Sequence, residues 1–447
     1  MKGFKKGGVH PPENKLSCGV AIEIAPLPQV VSIPLAQHIG APATAIVKKG
    51  DKVLTGQLIA EATGFVSANI HSPITGSVTA VDMQPNGQGM SQMTITIKGT
   101  GEDEWAEGID TSADIVREWS YSPSEIIEKI KGAGLVGMGG AAFPTHVKLS
   151  IPPGKTAEVL LINGVECEPY LTSDHRTMLE RGEELLLGVK LLMQAIGVSK
   201  ACIGVEANKP DAIAHLKSLA KDYKGVKVTP LKVHYPQGGE KQLIAAAIGR
   251  EVPPPPALPI DVGAVVCNAS TAVAVYEAVC KSKPLIERIV TITGKSVATP
   301  KNFKVRMGTP IQSLIDLAGG LPADTGKVIN GGPMMGRAMV NLASPVMKGC
   351  SGITIMREAE SKRKETSACI KCAKCVSACP MSLEPYLISK LSSKHLWDLA
   401  ESENIVDCIE CGSCQYTCPA NDALLDYIRL GKQRVMANIR TRAMANK

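Results

Sequence analysis

Residues Cys369–Pro380 read CIKCAKCVSACP, and Cys408–Pro419 read CIECGSCQYTCP. Each run is C-x2-C-x2-C-x3-C-P, and the second repeats the first 39 residues later. Together they hold eight of the 14 cysteines of the chain. Zinc sites use two CxxC pairs separated by a longer loop. A third cysteine two residues further on overfills that pattern. Thiolates at this spacing suit cubane iron–sulfur clusters, with one cysteine per iron. Where two such runs share a domain, the fourth cysteine of each commonly serves the other cluster. This assigns Cys369, Cys372, Cys375 and Cys418 to one [4Fe–4S] cluster, and Cys408, Cys411, Cys414 and Cys379 to the second. Pro380 and Pro419 turn the chain away after the last ligand.

The surroundings of the runs read as helix. Leu383, Tyr386, Leu387, Leu391, Leu396 and Leu399 recur at helical spacing between them. The tail NDALLDYIRLGKQRVMANIRTRAM is helical too, and predicts an α-helical ferredoxin domain over 357–447. Arg429, Lys432, Arg434, Arg440 and Arg442 make that tail basic. An acidic partner or lipid headgroups would suit it, but a solvated face is the simpler reading. Cys18, Cys167, Cys202, Cys267, Cys280 and Cys350 are scattered without a disulfide pattern, and most read as reduced, buried small residues.

A chain of 447 residues with 44% hydrophobic content suggests about three domains. Glycine (42) and proline (30) abound while aromatics are 3%, which favours a turn-rich α/β protein over a bundle. The net charge of +7 is interspersed and calls for no nucleic acid. The basic N-terminus lacks an apolar stretch, so no signal peptide is expected. The run Val262–Cys280 is interrupted by Asn268 and Glu277, and Leu185–Val198 is short and holds Lys190. Neither makes the roughly 20 apolar residues of a membrane span, so a soluble chain with no direct span is expected.

One-electron centres need a source of electrons. In GAGLVGMGGAAFPTHVKL, Gly137, Gly139 and Gly140 let backbone N–H groups approach a ligand closely. Pro144 and Thr145 suit a helix start, and Lys148 adds charge, which together describe an anion site. Gly-rich stretches also serve only as turns, and this one is neither a P-loop nor a GxGxxG fingerprint. EVLLIN is a short buried strand ending at Asn163, followed by Glu166 and Glu168. Segments around Gly239 and Glu240, and around Asn268, Ser270 and Thr271, repeat that strand-end pattern. Helices are expected at Glu183–Ile196 and Asp211–Lys221. The alternation predicts a doubly wound, Rossmann-like sheet over 111–285, with ligands at the carboxyl ends of its strands.

GMGGAAFPTHVKL, NGVECEP, YPQGGEKQLI and CNASTAVAVYEA resemble the FMN-binding segments of the flavoprotein subunit of respiratory complex I. FKKGGVHPPENK, PLAQHIGAPA, GFVSANIHSPITGSV, INGGPMMG and the two cysteine runs resemble more closely the family of C subunits of Rnf complexes. The resemblance covers nearly the whole chain. It implies noncovalent FMN, NAD(H) as substrate and two [4Fe–4S] clusters. It also implies a peripheral place on the cytoplasmic face of the cell inner membrane. The partners would be other Rnf subunits, including a ferredoxin-like iron–sulfur subunit, and together they would link electron flow to Na+ or H+ movement. Val165, His146, Lys241 and Ala269 depart from the complex I pattern, so the phosphate loop carries over better than the nicotinamide contacts. Glu166, Glu168 and Glu240 are the expected pocket-shaping acids. Asn163, Gly239, Asn268, Ser270 and Thr271 are expected to face the flavin.

Two flanking modules complete the reading. Residues 1–110 hold short strands similar to a biotinyl or lipoyl sandwich, with VSANIHS where those domains carry lysine. No covalent cofactor is expected there, and His71 reads as structural. Residues 286–356 look like a β-grasp module of the soluble-ligand-binding type, with a structural or docking role. VPPPPALP is an extended surface loop. Two other functions stay open at this level: a soluble cobalamin reductase of similar cofactor plan, and a flavin-free electron wire or scaffold.

Overall fold

The computed structural model describes residues 1–445. Its centre is a four-stranded parallel sheet, in the order Val226–Leu231, Ala201–Glu206, Val159–Gly164, Ala264–Asn268. Side chains alternate across a strand. Leu160 and Ile162 therefore enter one buried core, while Leu161 enters another on the opposite face. Helices cover both faces. Gly182–Ala195 packs beside Ala269–Cys280 on the first, and Glu240–Ile248 covers the second. Gly188 makes the first packing possible, because any Cβ there would overlap the Ala272 carbonyl.

The apolar run Val262–Cys280 divides into a strand and a helix at Asn268. The Asn268 side chain caps the helix by accepting from Thr271 N–H at 3.2 Å. Glu277, the second interruption, pairs with Arg181 at 3.0 Å and Lys283 at 3.3 Å. The two expected helices appear close to their predicted bounds, as Gly182–Ala195 and Pro210–Leu219.

The N-terminal sandwich packs a four-stranded sheet on a three-stranded one. Val31, Ile33, Ile59, Ile70, Ile95 and Ile97 fill the space between. His71 sits at its rim, and burial pushes its imidazole down to about 3, so it stays neutral. Residues 1–24, expected with this sandwich, leave it: Ile22–Ile24 instead forms the edge of the six-stranded sheet of the 286–356 region, beside Lys301–Arg306. The proline loop is exposed as expected but bends, with Ala257 N–H donating to Pro254 O at 3.1 Å.

Short helices at Pro385–Ser393 and Trp397–Ser402 pack on the long Leu424–Ala445 helix. Their inner faces carry Ile388, Ser392 and Ala400. Tyr386, Leu396 and Leu399, expected inside, are exposed. The basic tail is partly consumed by pairing: Arg429 and Lys432 meet Glu410, and Arg442 meets Glu401. Of the six scattered cysteines, all are free; Cys267 and Cys350 are buried and the other four are partly buried.

Candidate functional site

The parallel sheet grows in one direction from Val159–Gly164 and then returns to that strand's other side. Its switch point lies between Val159–Gly164 and Ala264–Asn268, where such sheets open a crevice. Asn163 and Asn268 are register partners at that end. The glycine loop lies over them. A Cβ on Gly139 would touch Asn268 at 3.4 Å, so any larger side chain would close the gap. Gly137 N–H donates to Phe143 O at 2.8 Å, and Met138 N–H to Thr271 Oγ1 at 2.9 Å, which fixes the loop to the strand end. Gly140, at φ 101°, leaves open space at its Cβ position.

The expected helix behind the loop exists but is only Thr145–Leu149, five residues. That is too short for a helix dipole to hold an anion, so the charge must come from side chains. Lys148 meets Glu240 at 2.8 Å at the start of the Glu240–Ile248 helix, which Gly239 precedes. Burial works against the Lys148 ammonium, but the Glu240 carboxylate outweighs it and raises the pKa. A second cation escaped the sequence reading. Arg288, 4% exposed, donates to Met138 O at 3.4 Å from behind the loop. A buried arginine without a direct carboxylate partner in a strand such as ERIVTIT was its only signal.

Glu166 and Glu168 occupy other posts. Glu166 accepts from Asp174 N–H at 2.8 Å and His175 N–H at 3.1 Å, capping the Ser173–Glu180 helix. Glu168 accepts from Met334 and Met335 N–H at 3.2 and 2.6 Å, tying the crevice loop to the neighbouring domain. Burial pushes the Glu168 carboxyl up to about 7. Asp174 joins the site unannounced: it accepts from Asn268 Nδ2 at 2.7 Å and Ser270 Oγ at 2.5 Å. Burial, and then the Glu166 charge, push it to about 6. Asn163 donates to Gly238 O at 2.8 Å.

The residues fit a bound anionic cofactor. The hydroxyl of Thr145, at the start of the helix that follows the glycine loop, is buried without a partner. Buried polar groups are normally satisfied, so unpaired ones beside a glycine loop mark a place for ligand atoms.

The cysteine runs form a second locus. Cys379, Cys408, Cys411 and Cys414 line one cavity, walled by Leu383, Ile388, Leu425 and Ile428. Burial, then the neighbouring Cys408, Cys411 and Cys379 sulfurs, push the Cys414 thiol up. Cys375 is likewise raised by burial, with Cys418 among its neighbours. Each run's fourth cysteine thus lies with the other run. The inner thiols ring a space rather than a point; among the described residues no three His, Cys, Asp or Glu side chains close in as around a single ion. Four thiols around one apolar cavity are the donor set that a cubane takes.

The sequence is 47% identical to the C subunit of a proton-translocating ferredoxin:NAD+ oxidoreductase complex of Clostridium ljungdahlii, over 96% of this chain and 93% of that one. It is 45% identical to the Na+-translocating counterpart of Acetobacterium woodii, over 98% of both chains. The C subunit of an ion-translocating oxidoreductase complex of Rhodobacter capsulatus is 42% identical over 85% of this chain and 73% of its own. The chain belongs to the family of these C subunits. Within this family member, residues 130–277 match the Nuo51 FMN-binding domain, which contains the crevice. Residues 3–102 match the RnfC barrel sandwich hybrid domain and 289–338 the SLBB domain. Residues 361–419 match a 4Fe-4S dicluster domain, which spans both cysteine runs.

Proposed function

We propose that this chain is the NAD(H)-side electron-transfer subunit of an Rnf-type ferredoxin:NAD+ oxidoreductase. The observation that carries the reading is the four-thiol cavity lying against the domain that matches an FMN-binding family. FMN, when bound, takes the two electrons of a hydride together and releases them singly.

The chain's own residues supply the rest. Gly137, Gly139 and Gly140, with Thr145, Lys148 and Arg288 close by, would hold the flavin phosphate. Asn163, Gly239, Asn268, Ser270 and Thr271 line the strand ends beneath it. Glu240 restrains Lys148, while Glu166 and Glu168 act through backbone N–H groups to shape the crevice loop. Cys408, Cys411, Cys414 and Cys379 would hold one [4Fe–4S] cluster, and Cys369, Cys372, Cys375 and Cys418 the other. Apart from residues 1–24, which pack on the later domains, the architecture is a biotinyl-like sandwich to residue 110, a Rossmann-like flavin domain to 285, a β-grasp module to 356 and a helical ferredoxin domain beyond. No helix among the described residues is long and apolar enough to cross a membrane. Ion movement is therefore assigned to partner subunits, one of them a ferredoxin-like iron–sulfur protein. The chain's place is peripheral, on the cytoplasmic face of the inner membrane.

Anaerobic reconstitution tests this. Iron, sulfide and FMN should reach two clusters and one flavin per chain, and NADH should bleach the flavin. Flavin far below one per chain with no response to NADH would overturn the reading. Gly139→Val, which fills the gap to Asn268, should abolish FMN retention on desalting while both clusters remain.

A further inference from the structure

The first ten residues run through the seam between the crevice domain and the cysteine-run domain. At one end Lys2 pairs with Leu231, its carbonyl accepting from Lys232 N–H at 2.8 Å, while its Nζ reaches Ala247 O at 2.7 Å. At the other end Val9 and Tyr235 exchange two backbone hydrogen bonds of 2.8 and 3.0 Å. The rings of Phe4 and His10 both stack on His234, with centroids 4.4 and 4.7 Å away. The segment is thus pinned at both ends to the crevice domain.

Between the pins it meets the other domain through glycine alone. Gly8 N–H donates to Ala378 O at 2.9 Å. Gly7 and Gly8 have φ values of 67° and 91°, a region costly for residues with a Cβ. A Cβ on Gly7 would overlap the backbone of Cys379, and one on Gly8 would overlap the His234 imidazole. Beside them Tyr235, 3% exposed, donates its hydroxyl to Cys411 O at 2.8 Å. Val9, Tyr235, Ala378 and Cys411 form one apolar cluster, with Cys167 of the crevice loop packed against it. The seam therefore touches the inner cavity at two of its cysteines, Cys379 and Cys411. Cys369 and Cys372 of the other set are exposed.

We infer that residues 2–10 are a spacing strap that sets the gap between the crevice and the inner thiol cavity, with Gly7, Gly8 and Tyr235 as its positioning residues. The inference rests on the function proposed above and adds the order of transfer: the Cys379/Cys408/Cys411/Cys414 centre faces the flavin. With both groups bound, the strap would hold that centre close to the flavin, which would give up electrons to it one at a time with no bond made or broken. Electron transfer weakens steeply with separation, and glycine at position 7 lets the strap approach the Cys379 backbone more closely than a residue with a Cβ could.

The test uses the full chain, loaded with FMN and both clusters, mixed anaerobically with NADH in a stopped-flow instrument. Flavin bleaching reads the proposed function, and the slower iron–sulfur bleaching reads the strap. Gly7→Val should leave the flavin phase at its native rate and slow the iron–sulfur phase roughly tenfold or more. Dithionite-reduced samples should show unchanged EPR signals from both clusters. If Gly7→Val loses a cluster, Phe4→Ala with His10→Ala decides, since it removes the stacking and introduces no overlap. Its iron–sulfur phase should slow about threefold, in the same direction. Amide hydrogen exchange gives a readout independent of turnover: residues 376–380 and 408–412 should lose protection while 159–164 keep theirs. Native-rate cluster reduction in the variants, or unchanged exchange at the seam, would overturn the strap. Failure of NADH to bleach the flavin of the unmutated chain would instead overturn the proposed function.

Discussion

In the first cysteine run Ile370 is 69% exposed and Lys371 holds a φ of 57°. In the second, Ile409 packs against Val9 and Tyr235, and Glu410 holds a φ of 56°. Ala373 and Gly412 likewise match, at 57° and 76°. The spacing of the cysteines therefore encodes one loop shape twice. The surroundings differ because the C-terminal helix and a neighbouring domain cover only one copy. Glu410 is gripped by Arg429 at 3.2 Å and Lys432 at 3.4 Å, and Gly412 lies under the Met334 carbonyl. The first run meets solvent from Lys362 to Lys374. Identical ligand chemistry thus acquires an inner and an outer role from packing alone.

The sharpest way to break this comparison is to remove one thiol from each set. Cys414→Ser should stop NADH from reducing the remaining cluster, because the inner centre is the proposed relay. Cys372→Ser should leave the inner centre reducible. EPR of NADH-treated samples checks both, and equal behaviour would dissolve the distinction.

The next largest effect is pH-dependent. Glu168 anchors Met334 and Met335, which roof the inner run. Burial raises its folded-state pKa from 4.5 to about 7. A raised acid binds its proton more tightly when folded, so its contribution is complete below pH 4.5 and is lost as pH rises through 7. Glu168→Gln should remove that slope, by at most about 1.4 kcal/mol per pH unit within the window. Urea unfolding across the range, compared between the two proteins, measures it.

Substitution of the matched turn residues comes next. Gly412→Ala should cost about 1–2 kcal/mol, from the left-handed φ and the Met334 carbonyl 3.0 Å from the new Cβ. Ala373→Gly, at the equivalent place, should be near neutral, since the strain it relieves is offset by unfolded-chain entropy. Both are read by anaerobic urea unfolding. Smallest of all, Glu410→Gln should cost about 1 kcal/mol or less, and Lys371→Gln should stay within about 0.5 kcal/mol. A larger loss at Lys371, followed in the same melts, would mean that the outer run has a partner within the chain.

Local patterns were legible from the residues. The cysteine spacing, the buried EVLLIN strand and the strand-end asparagines all lie where periodicity and turn chemistry put them. So does the glycine loop, because its neighbours in sequence are its neighbours in space. Contacts between distant segments were not legible. Glu166 and Glu168 read as pocket acids, since nothing in NGVECEP announces that backbone N–H groups from Asp174 and Met334 claim their oxygens. Tyr386, Leu396 and Leu399 carry helical spacing, yet these short helices turn other residues inward. Arg288 and Asp174 sit in ordinary strand and helix sequence, and only the fold brings them to the crevice. The glycines at 7 and 8 have no periodic context at all.

The lysine at position 2 bonds to a carbonyl 245 positions away, and Gly8 needs Ala378. Contacts so remote in sequence are slow to find, because the intervening chain must be closed into a loop first. On the ribosome the segment emerges long before its berth has been made. It must idle unpaired until both neighbouring domains have formed, and it then acts as a late latch. Assembly of this protein should therefore finish with a segment that is made early.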